Sequence, residues 1–440
     1  MSDQPKTRKL ASEEEAMRVA EEAREESWEK ASFLKEMFLG KFRFDLVSPF
    51  PTLKGLDSPE YKAFYAKMKK FLKEEVDSDK IDREDKVPDD VIRKLAEMGA
   101  FGIKIKKEYG GLGFSMAAYT NIMKLVTSKD GALTALLSAH QSIGVPQPLI
   151  LFGTEEQKKK YLTQIGSGKR LAAFAVTEPG AGSDITNLST TATRDGEYYV
   201  LNGTKQWITN GGEAEIYSVF AMTNKSKGPR GCTGFIVEKG MEGFSFGKKE
   251  KKLGIRASAT RELIFDNCRV PKENVIGREG LGFFVILKTF DHSRPGIGAQ
   301  GVGLAQGALD YAVQYTRERS QFGRHISSFQ VIQHMLADMA IQIEAARALV
   351  YAVARHIDSK PREISQYAAM AKTFASDMAM RVTTDAIQVL GGYGYMRDYP
   401  LEKMMRDAKI LQIYEGTNQI QRNEIAAALI KEAARKRKKR

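Results

Sequence analysis

Phe174-Ala175-Val176-Thr177-Glu178-Pro179-Gly180-Ala181-Gly182-Ser183-Asp184 runs from an apolar segment into a stretch of small residues, a strand leading to a loop whose backbone N–H groups and hydroxyls could hold a ligand's polar edge. As a bare pattern it equally fits an ordinary turn. The surrounding periodicity decides what kind of domain it sits in. Between Leu171 and about Val275 the chain is built of short β-branched and aromatic runs: Phe174-Val176, Tyr198-Leu201, Gln206-Thr209, Ile216-Met222, Gly234-Val237 and Glu262-Phe265. Asp195-Gly196 and Asn202-Gly203 fall between runs, where tight hairpin turns want them. The spacing predicts a small antiparallel β-domain.

Outward from this insert the pattern is helical on both sides. From Pro59 to about Arg170 it is broken only at turns such as Gly110-Gly111-Leu112-Gly113 and Pro146-Gln147-Pro148. After Gly282 it returns, clearest in Phe329, Ile332, Leu336, Met339 and Ile343, which share one helical face and read as bundle core. Ser12-Glu13-Glu14-Glu15 fits a capping box, opening an exposed helix over 11–36 before a linker through Pro49 and Pro51. The expected fold class is α+β: an extension and linker (1–55), an N-terminal α-domain (56–170), a middle β-domain (171–276), a C-terminal α-bundle (277–434) and a basic tail (435–440). Clefts between such domains suit a flat cofactor.

A chain of 440 residues exceeds what one hydrophobic core supports, and 42% hydrophobic residues supply several. No run approaches the roughly 18 apolar residues of a membrane span, and Met1 to Leu10 is not followed by an apolar run, so neither a span nor a secretory signal is expected. Cys232 and Cys268 form no spaced pair, which predicts no disulfide framework and a reducing compartment. The five histidines lack metal-binding register, and no metal is expected. The net charge of +13 favours an anionic partner, which nucleic acid, a phosphorylated cofactor, a nucleotide-tailed substrate or an acidic protein would all satisfy. Arg435 to Arg440 contributes six of the positive charges, and such a run reads first as a solvated, frayed terminus.

The candidate catalytic residue is Glu415, in Tyr414-Glu415-Gly416-Thr417-Asn418-Gln419 after the apolar helical stretch ending Ile410-Leu411-Gln412-Ile413. A carboxylate against apolar surface at a helix end loses hydration, and its pKa rises toward the range of a neutral-pH base. Gly416 removes bulk where a ligand must pass. Taken alone, the segment also fits an exposed glutamate stabilising a helix terminus. Trp207-Ile208-Thr209 sets an indole beside a hydroxyl at a strand end, a wall and donor for an aromatic cofactor, although tryptophan is more often core. Gly296-Ile297-Gly298-Ala299-Gln300-Gly301 matches the dinucleotide fingerprint as text. It follows Pro295 inside helical sequence without a βαβ unit, so its glycines are read as close-packing residues, with no seat for a nicotinamide.

Together these segments resemble the acyl-CoA dehydrogenase family of flavoproteins, in order, over roughly residues 60 to 430. The resemblance implies the three-domain fold, a homotetramer, FAD between domains and subunits, and an acyl-CoA substrate. It implies flavin contacts at Phe174, Val176, Thr177, Gly182 and Ser183, and at Trp207, Ile208 and Thr209. Further contacts across a subunit boundary would come from Arg319, Gln321, Phe322, Gln330, Gln388, Val389, Leu390, Gly391 and Gly392, with Thr417 and Gln419 completing the set. Asp291 and Arg294, with Ser183 and Gly416, are the implied substrate contacts. Glu415 would remove the α proton while the β hydrogen leaves as hydride to flavin N5, giving trans-2-enoyl-CoA. The thioester carbonyl would be polarised by the N–H of the base and a ribityl hydroxyl.

Some members carry the base at the position matching Ser293, where serine cannot serve, so Glu415 has no rival. Phe33-Leu34-Lys35-Glu36-Met37-Phe38 and Ala139-His140-Gln141-Ser142-Ile143-Gly144 look similar to very-long-chain members, whose long C-terminal region this chain lacks. Arg406 and Asp407 are read as a structural ion pair. The implied electron acceptor is an electron-transferring flavoprotein and the implied site the bacterial cytoplasm, with the mitochondrial matrix as alternative. An oxygen-using acyl-CoA oxidase ranks below, because the chain has no Ser-Lys-Leu ending. A nucleic-acid-binding relative of the same fold would instead exploit the basic tail, and its binding would collapse with salt.

Overall fold

The computed structural model describes residues 56–360 and 363–438. The expected helix over 11–36, its linker and Phe33 to Phe38 lie outside the described residues. Ser58 opens α1 (Pro59–Glu74): its hydroxyl accepts from the Tyr61 N–H and Pro59 fills the first turn. Tyr61, Phe64, Met68 and the pair Phe71–Leu72, at steps of three and four residues, form the buried face. The short helices α2 (Ser78–Arg83) and α3 (Asp89–Glu97) lead to α4 (Met116–Lys129), α5 (Gly131–Ser138) and α6 (Pro146–Phe152). Pro146 and Pro148 do not break the chain as expected. Pro146 starts α6, where its missing N–H costs nothing. The Asp358 carboxylate accepts from the Met116 and Ala117 N–H groups at 2.6 and 3.0 Å, fastening the start of α4 to the bundle.

The middle domain holds β1 (Ala172–Ala175), β2 (Thr191–Asp195), β3 (Tyr198–Thr209), β4 (Ile216–Met222), β5 (Cys232–Glu238), β6 (Phe244–Phe246), β7 (Thr260–Pro271) and β8 (Val275–Ile276). They form one sheet ordered β6-β7-β3-β2-β4-β5-β8, with β1 against β4. Two departures from expectation stand out. The sheet is mixed, since β1 runs parallel to β4 and β2 meets β4 in parallel at Thr191 and Met222. Asp195-Gly196 does turn between β2 and β3, but Asn202-Gly203 lies inside β3. There the register against β7 slips and Gly203 takes φ +143°, where a Cβ would stand 2.7 Å from Thr190. The turn-forming pair is a bulge, because a glycine in a strand also answers a close backbone approach. Both cysteines are free and buried in this region.

The bundle follows as α7 (Gly282–Glu318), a two-residue hairpin β9 (Ser320–Gln321) and β10 (Arg324–His325), then α8 (Gln330–Asp358), α9 (Ser365–Leu390), α10 (Leu401–Lys409) and α11 (Asn418–Lys438). The text match to a dinucleotide fingerprint is helical throughout and buried. Cβ atoms added at Gly298, Gly301 and Gly303 would meet Val350 at 2.8 Å, the Ala375 carbonyl at 2.6 Å and the Lys124 carbonyl at 2.4 Å. These glycines let α4, α8 and α9 close on α7. Met339 and Ile343 are bundle core, with Ile332 and Leu336 packed at its margin. Arg406 and Asp407 are both ion-paired, though not to each other: Arg406 forks onto Asp82 and Glu402, while Asp407 takes Lys403. Neighbours on a helix point apart. Of the basic tail, the described residues are helical: α11 continues through Lys438, and Lys436 faces Glu432 at 3.4 Å.

Candidate active site

The segment from α10 to α11 tightens into a single turn at Ile410–Gln412, with the Tyr414 N–H returning to the Ile410 carbonyl at 3.0 Å. Glu415 then takes φ +54° and Gly416 φ +91°. Two successive left-handed residues reverse the chain, a strained choice for glutamate that the surroundings must enforce. The enforcement is visible. Lys372 Nζ from α9 donates to the Gly416 carbonyl and to Asn418 Oδ1, both at 2.8 Å, and Arg294 Nε reaches the Glu415 carbonyl at 3.4 Å. A side chain at position 416 would collide with Gln421 Nε2 at 2.4 Å.

The reversal turns the Glu415 carboxylate inward, leaving the residue 9% exposed. Ser293 Oγ of α7 donates to Glu415 Oε2 at 2.5 Å. Burial pushes the Glu415 carboxyl up to about 7, held from going further by the Ser293 bond and the charges of Arg294, Lys372 and Lys104. The Glu415 amide N–H donates to no acceptor among the described residues, leaving it available to a ligand oxygen beside the carboxylate. The Tyr414 hydroxyl donates to Gln300 Oε1 at 2.5 Å, fixing the ring next to Glu415.

The loop after β1 is anchored from below. Glu178 is 2% exposed and accepts from Lys205 Nζ at 2.8 Å, the Ser189 N–H and hydroxyl at 2.5 Å each, and the Thr190 N–H at 3.0 Å. Burial alone would raise its pKa, but Lys205 and these donors outweigh it and hold the carboxyl down at about 2. Lys205, fully buried on β3, also donates to the Val176 carbonyl. With the loop pinned there, Gly182 and Ser183 face outward, and a Cβ at Gly182 would touch nothing.

Beside the loop the register of β3 slips again between Lys205 and Ile208, and Trp207 takes φ +56°. The bulge turns the indole out of the sheet, 59% exposed, where tryptophan in a core would be hidden. Phe174, Val176 and Ile208 are buried core residues, so only their backbone can face a ligand. Thr417 Oγ1 accepts from the Ile420 N–H at 3.3 Å as a cap of α11, and Gln419 is exposed.

A second group lies elsewhere. A cleft of about 780 Å³ is lined by Arg319, Gln321, Phe322, Gln388, Val389, Leu390, Gly391 and Gly392, with Tyr315, Phe329 and Tyr393 among its other walls. Gln330 sits between the lining residues Phe329 and Val331. Phe322 and Gly323 form the hairpin turn at φ +52° and +77°, leaving the phenyl ring 93% exposed. No β-domain residue lines this cleft, so the expected cofactor residues fall into two surfaces of one chain. Asp291 and Arg294 are 1% and 3% exposed. Asp291 takes the Ser365 hydroxyl at 2.5 Å and Arg294 pairs with Glu424 at 2.8 Å. No contact joins either to Ser183 among the described residues.

Sequence reasoning passed over Lys372, Lys205 and Glu178, and treated Ser293 only as an absent base. A lysine one helix away in the fold carries no local signal. Among the described residues no group of three or more potential ligands could hold a metal, and no helix is long and apolar enough to cross a membrane.

Comparison with known proteins adds three domain matches: the N-terminal domain of acyl-CoA dehydrogenase over residues 58–169, the middle domain over 173–268 and the C-terminal domain over 280–430. An acyl-CoA dehydrogenase of Bacillus subtilis is 46% identical over 350 residues, 80% of this chain and 92% of that one. Butyryl-CoA dehydrogenase of Megasphaera elsdenii superposes with a TM-score of 0.82 at 43% identity, covering 85% of this chain and 98% of the other. A chain from the structure described as the electron transferring flavoprotein of Acidaminococcus fermentans gives 0.82 at 47% identity, covering 84% and 98%. FAD is the cofactor of this group of oxidoreductases. On the order of its three domains and its likeness to these relatives, the chain belongs to the acyl-CoA dehydrogenase family.

Proposed function

We propose that the chain is an FAD-dependent acyl-CoA dehydrogenase in which Glu415 removes the α proton of an acyl-CoA thioester, giving trans-2-enoyl-CoA in fatty-acid β-oxidation. The observation that carries this reading is the buried Glu415 carboxylate, raised to about 7 and bonded to Ser293, with its own N–H unpaired beside it. A carboxylate with that pKa is half ionised near neutrality and strong enough to take a proton once a neighbouring carbonyl is polarised. The Glu415 N–H can supply part of that polarisation by donating to the thioester oxygen. The left-handed turn holds donor and base in one rigid unit, and Lys372 and Arg294 keep that unit from rotating.

When bound, the flavin supplies the acceptor for the β hydrogen. The chain fits such a group on two faces. Exposed Trp207 beside the open Gly182-Ser183 edge offers an aromatic wall with donors, and the cleft around Phe322 and Gly391-Gly392 offers a second. Because these faces do not share a cleft within one chain, one cofactor touching both requires a neighbouring subunit, which supports a homotetramer with FAD at the subunit boundary. The acyl-CoA substrate would approach Glu415 past Gly416, with Ser183, Asp291 and Arg294 serving the CoA side. The likeness to the Acidaminococcus chain supports an electron-transferring flavoprotein as acceptor, and the bacterial relatives support a cytoplasmic site. The same reading makes residues 56–170, 171–276 and 277–434 the working domains.

Anaerobic mixing of the flavin-loaded protein with acyl-CoAs tests the proposal. Bleaching of the flavin by thioesters, and its loss in Glu415→Gln with the flavin still bound, is the expected result. Reduction of that variant at the native rate would overturn the assignment.

A further inference from the structure

The face of α7 that meets Glu415 through Ser293 continues through Gly296 to Gln300, at three- and four-residue intervals. A Cβ at Gly296 would lie 3.6 Å from the Tyr119 hydroxyl and 3.8 Å from Ser142 Oγ, so α4 and the segment after α5 bring two hydroxyls to the wall one turn from the base. Tyr119, Ser138 and Ser142 are 0%, 3% and 0% exposed; the Tyr119 hydroxyl stands beside those of both serines, and among the described residues the trio has no hydrogen-bond partner beyond itself. Gln300 Nε2, which closes the same face, is unpaired. A buried polar cluster whose hydroxyls meet only one another keeps donor capacity to spare, and a ligand is one reason for it.

A cation stands over this group. Lys104 Nζ lies 4.9 Å from the centroid of the Tyr119 ring and donates to Gln147 Oε1 at 3.1 Å. Among the described residues it pairs with no carboxylate, and its charge still reaches Glu415. Its backbone is fixed, with the Lys104 N–H directed to Gln141 Oε1 at 3.4 Å and Gln141 held in turn by the Ala100 carbonyl. Lys104 is largely enclosed by protein yet keeps some accessible surface. A hydrocarbon chain end placed here would face an ammonium and hydroxyls that it cannot pair, which selects against such a substrate.

We propose that this wall selects a short acyl group whose far end carries a carboxylate, with Lys104 as its counter-ion and the hydroxyls of Tyr119, Ser138 and Ser142 as its donors. The inference rests on the reading of Glu415 as the base of an acyl-CoA dehydrogenase and names its substrate class. One helical turn separates Ser293 from Gly296, about 5 Å along the axis, which suits a diacid thioester of about five or six carbons.

The test uses the flavin-loaded full chain with CoA thioesters of five- and six-carbon diacids and of the matching unsubstituted acids. The ratio of kcat/KM between the two classes is read in wild type, Lys104→Met and Lys104→Arg. Since Glu415 serves both classes, any effect of Lys104 on the base cancels in the ratio. The diacid is expected to lead in wild type, the ratio to fall about 100-fold in Lys104→Met, and Lys104→Arg to restore part of it. A wild-type preference for the unsubstituted thioesters, or a ratio unmoved in Lys104→Met, would overturn the substrate class while leaving Glu415 as base. Failure of every thioester to reduce the flavin would instead overturn the dehydrogenase reading beneath it.

Discussion

Ser293 Oγ donates to Glu415 Oε2 across 2.5 Å, so α7 holds the carboxylate proposed as the base through a serine hydroxyl. A hydrogen bond to the ionised form favours it. Ser293→Ala is therefore expected to move the acidic limb of the kcat/KM profile up by about one pH unit, since a bond to a charged group contributes about 1.5 kcal/mol. A profile that keeps its midpoint would show that the serine serves packing alone.

Glu415 also couples pH to stability. Its folded pKa of about 7 lies above the 4.5 of a glutamate free in water, so the carboxyl costs nothing below 4.5, where both states are protonated. Stability is lost as pH rises through 7. Glu415→Gln removes that penalty, of order 3 kcal/mol, so its thermal midpoint should match wild type at pH 4 and exceed it at pH 8. A gap that is constant with pH would contradict this.

On the proposed reading, Lys372 positions the base through the Gly416 carbonyl and Asn418. Burial lowers its pKa to about 7. Lys372→Met should lower kcat by about 10- to 100-fold through lost orientation. It should also raise the apparent pKa of the base, because one of the charges favouring the carboxylate is gone. A fall in kcat at an unmoved pKa would make the lysine a purely structural strut.

The Lys205–Glu178 pair secures the loop beside Trp207. Breaking a buried pair from one side costs about 3–5 kcal/mol, so Lys205→Met should lower the unfolding midpoint and release flavin more readily. Lys205→Met with Glu178→Leu should recover part of the stability, and flavin retention should follow the loop. Equal flavin affinity in all three proteins would disconnect the loop from the cofactor.

The helix–sheet–helix order could be read from the sequence because periodicity changes cleanly at Leu171 and Gly282, and Glu415 could be picked out because an apolar stretch precedes it. Asn202-Gly203 misled because the same dipeptide suits a hairpin turn and a bulge, and only the nearness of Thr190 decides between them. The partners of Glu415 were hidden for a different reason. Ser293, Lys372 and Lys104 lie on separate elements, and no local pattern announces which distant side chain will share a buried carboxylate. The left-handed φ of Glu415 was equally silent, since glutamate has no preference for it.

The glycines of α7 carry a practical consequence for anyone mutating this protein. Gly298, Gly301 and Gly303 admit no added carbon without displacing a neighbouring backbone or side chain, and they begin five residues beyond Ser293. A substitution library across residues 293–303 would therefore lose most members to misfolding before their chemistry could be scored. Absence from such a screen would report helix spacing, and the reaction itself is more cleanly interrogated from Glu415 and Lys104.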